Sequence, residues 1–324
     1  MRVLRRSEVE ALCTMEGIVA SVEEAFGSLA RGEAQLPAVL GMTFDEADGE
    51  VHAKGAHLLG SPEFVIKVST GFYRNPALGL PSSGGCVLVF SATNGQLEWL
   101  LLDNGLITDL RTGAAGAVAA KHLARKRLSK VAIIGAGIQA RQQLRALAVV
   151  RQVPAVEVWS LQGAEAYADE MSAAGFKVTP VRTAREAVVG ADLIITVTPS
   201  KKPIVQAEWL VPGVHVNAVG ADMPGKQELD AEVLARADVV IADRLEQCLQ
   251  WGEIHNSIAA GAISPADVDG ELGDVVIGRI PGRTDEGQIT VCDLTGVGVQ
   301  DAAAASSIVS EARKQAEMGL ELDL

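Results

Sequence analysis

The sequence predicts an α/β protein in which a Rossmann-type, doubly wound parallel sheet is inserted into an α+β domain. Three observations carry this fold class. Strand and helix patterns alternate with short connections from Lys130 to Asp243. A glycine-rich turn, KVAIIGAGIQAR, heads that alternation. The residues before it read instead as a helix followed by hairpin-joined strands. The expected division is 1–112 plus 305–324 for the first domain and 113–304 for the Rossmann domain.

Composition bounds the class. The chain has 324 residues, 48% hydrophobic and 21% charged, enough for a large core or two domains. Aromatics are scarce and glycines plentiful, which suits close packing of helices on a sheet. A net charge of −13 argues against a nucleic-acid partner, because phosphate binding needs a basic face. Cys13, Cys86, Cys248 and Cys292 have no paired spacing and read as reduced thiols. The five histidines lack metal-ligand spacing, so no metal is expected. No apolar run approaches the ~20 residues of a membrane span, and the basic N-terminus lacks the apolar stretch of a signal peptide. A cytoplasmic protein without a membrane partner is therefore expected.

The elements follow in order. SEVEALCTMEGIVASVEEAFGSLARGEA spaces its apolar residues as a helix, with Ser7 as N-cap and Gly32 as stop. The residues around Val51, EFVIKVSTGF and GCVLVFSATNGQLEWLLLDNGLIT read as strands of a mostly antiparallel sheet, and Ala92 to Gln96 as a hairpin turn. TDLRTGAAGAVAAKHLARK turns helical. VAIIG, AVEVWS, FKVTPV, DLIITVTPS, GVHVNAVG and DVVIAD then read as strands, with helices between the earlier ones. After GQITVCDLTGVGVQD a last helix, about Val299 to Met318, can pack back on the first domain.

Gly135, Gly137 and Ala140 form G-x-G-x-x-A. The first glycine permits the tight turn, the second lets backbone approach a pyrophosphate, and the small third residue lets helix and strand pack closely. The new helix aims free N–H groups and its positive dipole end at the phosphates. An NAD enzyme usually carries Asp or Glu at the end of the second strand. Ser160 stands there instead, without a neighbouring Arg for the 2′-phosphate of NADP, although Arg182 could reach round. The expected cofactor is NAD(H) ahead of NADP(H).

Three polar residues sit in apolar settings. Lys67 lies inside FVIKVSTG, either solvent-facing on an alternating strand or buried for function. Arg111 and Thr112 lie where sheet hands over to helix, and an Arg suits bidentate capture of a carboxylate; the plainer reading is a surface helix start. Asp222 follows a parallel strand and its Val-Gly turn, at the edge where open α/β sheets place ligands, or simply caps a helix.

Together KVSTGFYRNPALGLPSSGG, LITDLRTGAAGAVAAKHLA, IIGAGIQAR, VGADMPGKQELD, WGEI, ELGDVV and ITVCDLTGVGVQDAA resemble the ornithine cyclodeaminase/mu-crystallin family, in family order, over about 51–305. KGAHLLGSPEFVIKVSTGF is most similar to the family's ectoine-utilisation-type branch. The resemblance implies a homodimer whose first domain binds substrate and pairs subunits, with a nicotinamide cofactor in the Rossmann domain. It implies that Lys67 and Arg111 hold the substrate carboxylate, Arg111 also lying near the cofactor phosphates with Thr112 beside it. Lys67 and Asp222 would be catalytic, Asp222 as acid/base at the reacting amine or imine. Ser82 stands where the family has a Thr on the cofactor. Gly135, Gly137, Ile138 and Gln139 would hold the pyrophosphate and Ser160 the ribose. Thr198, Val219, Gly220 and Lys226 would line the rest of the nucleotide site, with Leu294 and the substrate contact Thr295 closing it.

One departure bears on the substrate. Family members acting on ornithine carry an Arg after a Pro in the early strand; here QLPAVLGMTF puts Val39 there, and Lys54 in HAKGAH is the candidate to supply part of that charge. The expected activity is an NAD(P)H-dependent imine (ketimine) reductase or amino-acid dehydrogenase on a small amino or imino acid. The alternatives are a cyclodeaminase-like ammonia-lyase with internally recycled NAD, and a non-catalytic nucleotide-binding protein, which an intact Lys67, Arg111 and Asp222 set opposes.

Overall fold

Strands with apolar residues on both faces build the first sheet. Its order is Leu320–Glu321, Arg2–Arg5, Leu97–Leu102, Ser83–Ser91, Glu63–Phe72, Gly49–Leu58 and Ala34–Gln35, with Leu40–Phe44 also pairing Gly49–Leu58. All pairings are antiparallel except Arg2–Arg5 against Leu97–Leu102. The expected hairpin closes at Asn94-Gly95, where Gly95 takes φ +75° and Ser91 N donates to Gln96 O at 2.9 Å. The computed structural model describes residues 1–315 and 317–323. This sheet belongs to a unit formed by Met1–Arg111 and the segment from Val297 onward; Thr112–Gly296 forms a second.

Local chemistry revises three boundaries. The first helix is two, Arg6–Leu12 and Met15–Ala30, with Arg5 rather than Ser7 as the first N-cap. Cys13 and Thr14 are extended, and the Thr14 hydroxyl accepts from Gly17 N at 3.1 Å, starting a new helix. Gly32 does end it, at φ +75°. GLIT is not strand. The sheet strand stops at Leu102, Asn104 and Gly105 turn in the left-handed region, and Asp103 Oδ2 accepts from Ile107 N at 2.8 Å to open the helix Leu106–Leu123. The last helix, Gly298–Arg313, ends short of Met318; Ala316, in the expected span, and Leu324 lie outside the described residues. That helix packs on Met15–Ala30 and on strands Gly49–Leu58 and Glu63–Phe72. A Cβ on Gly298 would lie 2.3 Å from Gly55 O, so only glycine allows this approach.

The second unit carries an eight-stranded, wholly parallel sheet in the order Lys177–Pro180, Ala155–Trp159, Lys130–Ile134, Leu193–Thr196, His215–Ala218, Thr290–Asp293, Val239–Ala242 and Gly270–Glu271. Alternate residues feed two cores. Val131 and Ile133 pack with Leu144, Leu147 and Tyr167 on one face, while Ala132 and Ile134 pack with Val188, Leu234 and Ile254 on the other. This is a doubly wound sheet. Its strand order reverses beside Lys130–Ile134, the topological switch point at which such sheets bind ligands. A short parallel pair, Lys201–Val205 with Gln227–Leu229, lies apart from it and has no clear signal in the sequence. No helix among the described residues is long and apolar enough to cross a membrane.

Candidate active site

The glycine turn has the geometry of a dinucleotide cradle. Gly135 takes φ +119°, and a Cβ there would lie 2.9 Å from Val197 O. A Cβ on Gly137 would meet nothing within 4 Å, so that face of the turn is open. Ala140 is fully buried, as close helix packing requires. The helix Ile138–Val150 starts at Gly137 with no side-chain cap, leaving its first amides to a ligand. Gly135, Gly137, Ser160 and Thr198 line one cavity of about 630 Å³, together with Leu161 and Lys202. Among the described residues, no carboxylate lines it. Ile138 and Gln139 begin the helix directly after Gly137.

Arg141 braces the turn, and the sequence did not single it out. Its Nη1 donates to Ala136 O at 2.7 Å and Gly137 O at 3.0 Å, and its Nε to Glu170 at 2.8 Å. The guanidinium also lies over the Tyr167 ring. An Arg four residues into a helix is an ordinary surface residue by pattern, so nothing short of the folded turn reveals this role.

Val219, Gly220, Asp222 and Lys226 stand on the segment after the strand His215–Ala218. Asp222 is half-exposed, and Lys226 Nζ lies 2.9 Å from its Oδ1. Lys226 is buried, held among its own segment while Asn256 Nδ2 donates to its carbonyl at 2.8 Å. Leu294 is buried, with its N–H on Ala218 O at 2.8 Å. Thr295 is buried too: its hydroxyl donates to Asp243 at 2.9 Å and accepts from Gln247 Nε2 at 2.8 Å. Thr112 sits in the helix after Arg111, its carbonyl accepting from Gln143 at 2.9 Å.

The first unit contains a separate charged cluster. Lys67 is buried, not solvent-facing, and Lys54 is its direct cross-strand partner, buried on the same sheet. Two lysines in register repel unless an anion intervenes. Asp301, fully buried in the last helix, supplies it: Lys67 Nζ and Arg111 Nε lie 3.1 Å and 3.0 Å from the same Oδ1. Arg111 is no surface residue at a helix start. It is buried in the second turn of Leu106–Leu123, and its Nη1 donates to Gln300 Oε1 at 2.7 Å. Burial alone would raise the Asp301 carboxyl, but Lys67, Arg111 and Lys54 outweigh it and hold it below its usual range. At Lys67 the balance goes the other way. Burial, opposed by Asp301 and reinforced by Arg111 and Lys54, lowers the ammonium to about 7. Asp103, also buried, is the second carboxyl near Lys67, and burial raises it. Ser82 is half-buried, its carbonyl accepting from Phe72 N at 2.7 Å.

The fold thus gathers Lys54, Lys67 and Arg111 in one unit, and Gly135, Gly137, Ser160 and Thr198 around one cavity in the other. Asp301 and Gln300, which orient the cations, carried no assigned role in the sequence. The signal was there: a Gln-Asp pair inside an otherwise apolar helix, GVQDAAAA, is costly unless both are engaged.

The model of the ornithine cyclodeaminase/mu-crystallin family matches residues 1–316. An uncharacterized cyclodeaminase of Sinorhizobium fredii is 42% identical over 97% of this chain and 97% of its own length. An archaeal alanine dehydrogenase dimer with bound NAD superposes with a TM-score of 0.93 at 35% identity, covering 100% of this chain and 99% of that one. The Δ1-pyrroline-2-carboxylate reductase of Thermococcus litoralis, in complex with NADH and L-proline, superposes with a TM-score of 0.95 at 32% identity, covering 99% and 100%.

Proposed function

The chain belongs to the ornithine cyclodeaminase/mu-crystallin family, and from that premise we propose that it is a nicotinamide-dependent enzyme acting on the C–N bond of a small amino or imino acid, as an imine reductase or amino-acid dehydrogenase. The observation that carries this reading is the buried set of Lys54, Lys67 and Arg111 around Asp301, in a chain that also holds an open dinucleotide turn. Cations oriented in this way suit a ligand carboxylate. A bound nicotinamide would supply the hydride that reaches the imine carbon, or take it from the amine in the reverse direction. Lys67 and Arg111 bind the carboxylate and fix its orientation, with Asp301 and Gln300 holding both cations in place. Reduction also needs a proton delivered to nitrogen, and Asp222 is the acid/base that relays it. NAD(H) is the expected cofactor, on the absence of an Arg beside Ser160; Lys202 in the cavity wall makes NADP(H) the comparison to run.

Mass spectrometry of nucleotide released from freshly purified, denatured protein, followed by NADH and NADPH oxidation with Δ1-pyrroline-2-carboxylate and related imino acids, tests the reading. Exchangeable nucleotide and imine-dependent oxidation support it. Tightly retained NAD with ammonia release from a diamino acid would replace it with the cyclodeaminase reading, which the Sinorhizobium relative favours. Binding of neither nucleotide would sink both.

A pH dependence follows from Lys67. Its ammonium is lost as pH rises through about 7 in the free enzyme, so kcat/KM for the imino acid should fall on the alkaline side. In Lys67→Arg the guanidinium stays charged, and that limb should disappear. A limb unmoved in this variant assigns it to another group.

The partner is a second copy of the chain. Strand Leu40–Phe44 is exposed at every residue, and Leu40, Met42 and Phe44, on one face, are 57%, 54% and 43% exposed. An apolar strand face of this kind is what a subunit interface covers, and the archaeal relative is named as a dimer. Light scattering should give twice the chain mass of 33.8 kDa; a monomer at micromolar concentration would refute this.

A further inference from the structure

Glu228 sits in the short strand Gln227–Leu229 and is fully buried. Its Oε1 accepts from Thr198 N at 2.5 Å and its Oε2 from Gly220 N at 2.8 Å. These amides belong to two different loops, which leave the carboxyl ends of the paired strands Leu193–Thr196 and His215–Ala218. One loop lines the dinucleotide cavity through Thr198. The other runs on to Asp222. The carboxylate is itself anchored. Gln227–Leu229 pairs with Lys201–Val205, Gln227 N donates to Ser200 O at 2.8 Å, and Glu253 Oε1 accepts from the amides of Glu228 at 2.6 Å and Leu229 at 3.2 Å. The closure is tight: a Cβ on Gly220 would lie 2.2 Å from Thr198 O and 2.5 Å from Glu228 Oε2. Two carboxylate oxygens meet both demands. Gln would offer one acceptor and turn an N–H toward the second amide, and Asp is one carbon too short to span both.

We propose that Glu228 is a positioning residue that clamps the Thr198 and Gly220 amides, fixing one wall of the dinucleotide cavity and the loop that presents Asp222. The inference rests on the nicotinamide reading above. A purely structural buried carboxylate would show itself through stability, whereas a clamp shows itself through the loops it holds. Burial pushes the carboxyl up to about 7, so removing the buried charge in Glu228→Gln offsets part of the cost of the amide left without an acceptor. What it removes is one charge-assisted bond to a loop, worth about tenfold or more.

The experiment compares wild type, E228Q and E228D by NADH fluorescence titration, thermal melting and peptide-resolved hydrogen exchange. In E228Q, NADH affinity should fall at least tenfold while the protein stays folded with a single cooperative melt, and faster exchange should be confined to peptides covering 197–200 and 219–223. E228D should fall between the two. Unchanged NADH affinity in a folded E228Q would overturn the proposal. So would an affinity loss that tracks a lower melting temperature with exchange raised across the whole second unit, or an E228Q that fails to fold while E228D binds NADH as wild type does. If wild type binds neither NADH nor NADPH, the nicotinamide reading fails, and the clamp with it.

Discussion

Asp222→Asn is expected to lower imine reduction by on the order of 10²–10⁴ while nucleotide affinity stays within a few-fold of wild type. Asn keeps the size of Asp and an oxygen for Lys226, now 2.9 Å from Oδ1, but it neither takes nor gives a proton at neutral pH. Because Asp222 is half-exposed, the change should move stability by no more than ~1 kcal/mol. The effect should therefore appear in kcat, with little change in the melting curve or in NADH titration. Full activity in the variant would remove Asp222 from the chemistry.

The second large effect falls on stability. Asp301→Asn leaves Lys67 and Arg111, both buried, facing an amide where a carboxylate now lies 3.1 Å and 3.0 Å away. Breaking a buried ionic network by removing one partner costs about 3–5 kcal/mol. The pH dependence fixes the sign. The Asp301 carboxyl is held below its unfolded value, so it contributes stability above the unfolded pKa that is lost as pH falls through the folded one. The variant lacks that acid limb. Adding Lys67→Met to Asp301→Asn should recover part of the loss, because it removes a cation left without its counter-charge. Thermal melts of wild type, single and double variants from pH 2 to 8 check this; a single variant as stable as wild type at neutral pH would show that Asp301 is not the counter-ion holding the cluster.

Much of the fold was legible because it rests on local signals. Gly135 needs a positive φ, and only glycine follows cheaply. The Asn-Gly hairpin and the alternation of strands and helices repeat at spacings the backbone itself imposes. Lys67 shows where legibility ends. Phe64, Ile66 and Val68 are as apolar as Val65, so the alternation in EFVIKVSTGF does not say which face is inside. Burial of Lys67 on the Val65 face depended on which helix covers it.

By itself, then, the sequence determined the class of fold, the dinucleotide turn and the identity of the cations, since each depends on residue type and short spacing. The tertiary structure alone decided what those cations face, which loops Glu228 joins and what braces the glycine turn. Arg111 and Asp301 meet at a sequence separation of 190 and Thr198 and Glu228 at one of 30. At such separations no periodicity links the partners. They meet because the packing of helices and sheet brings their chain segments together, and a buried charge is stable only where that packing also delivers its counter-charge.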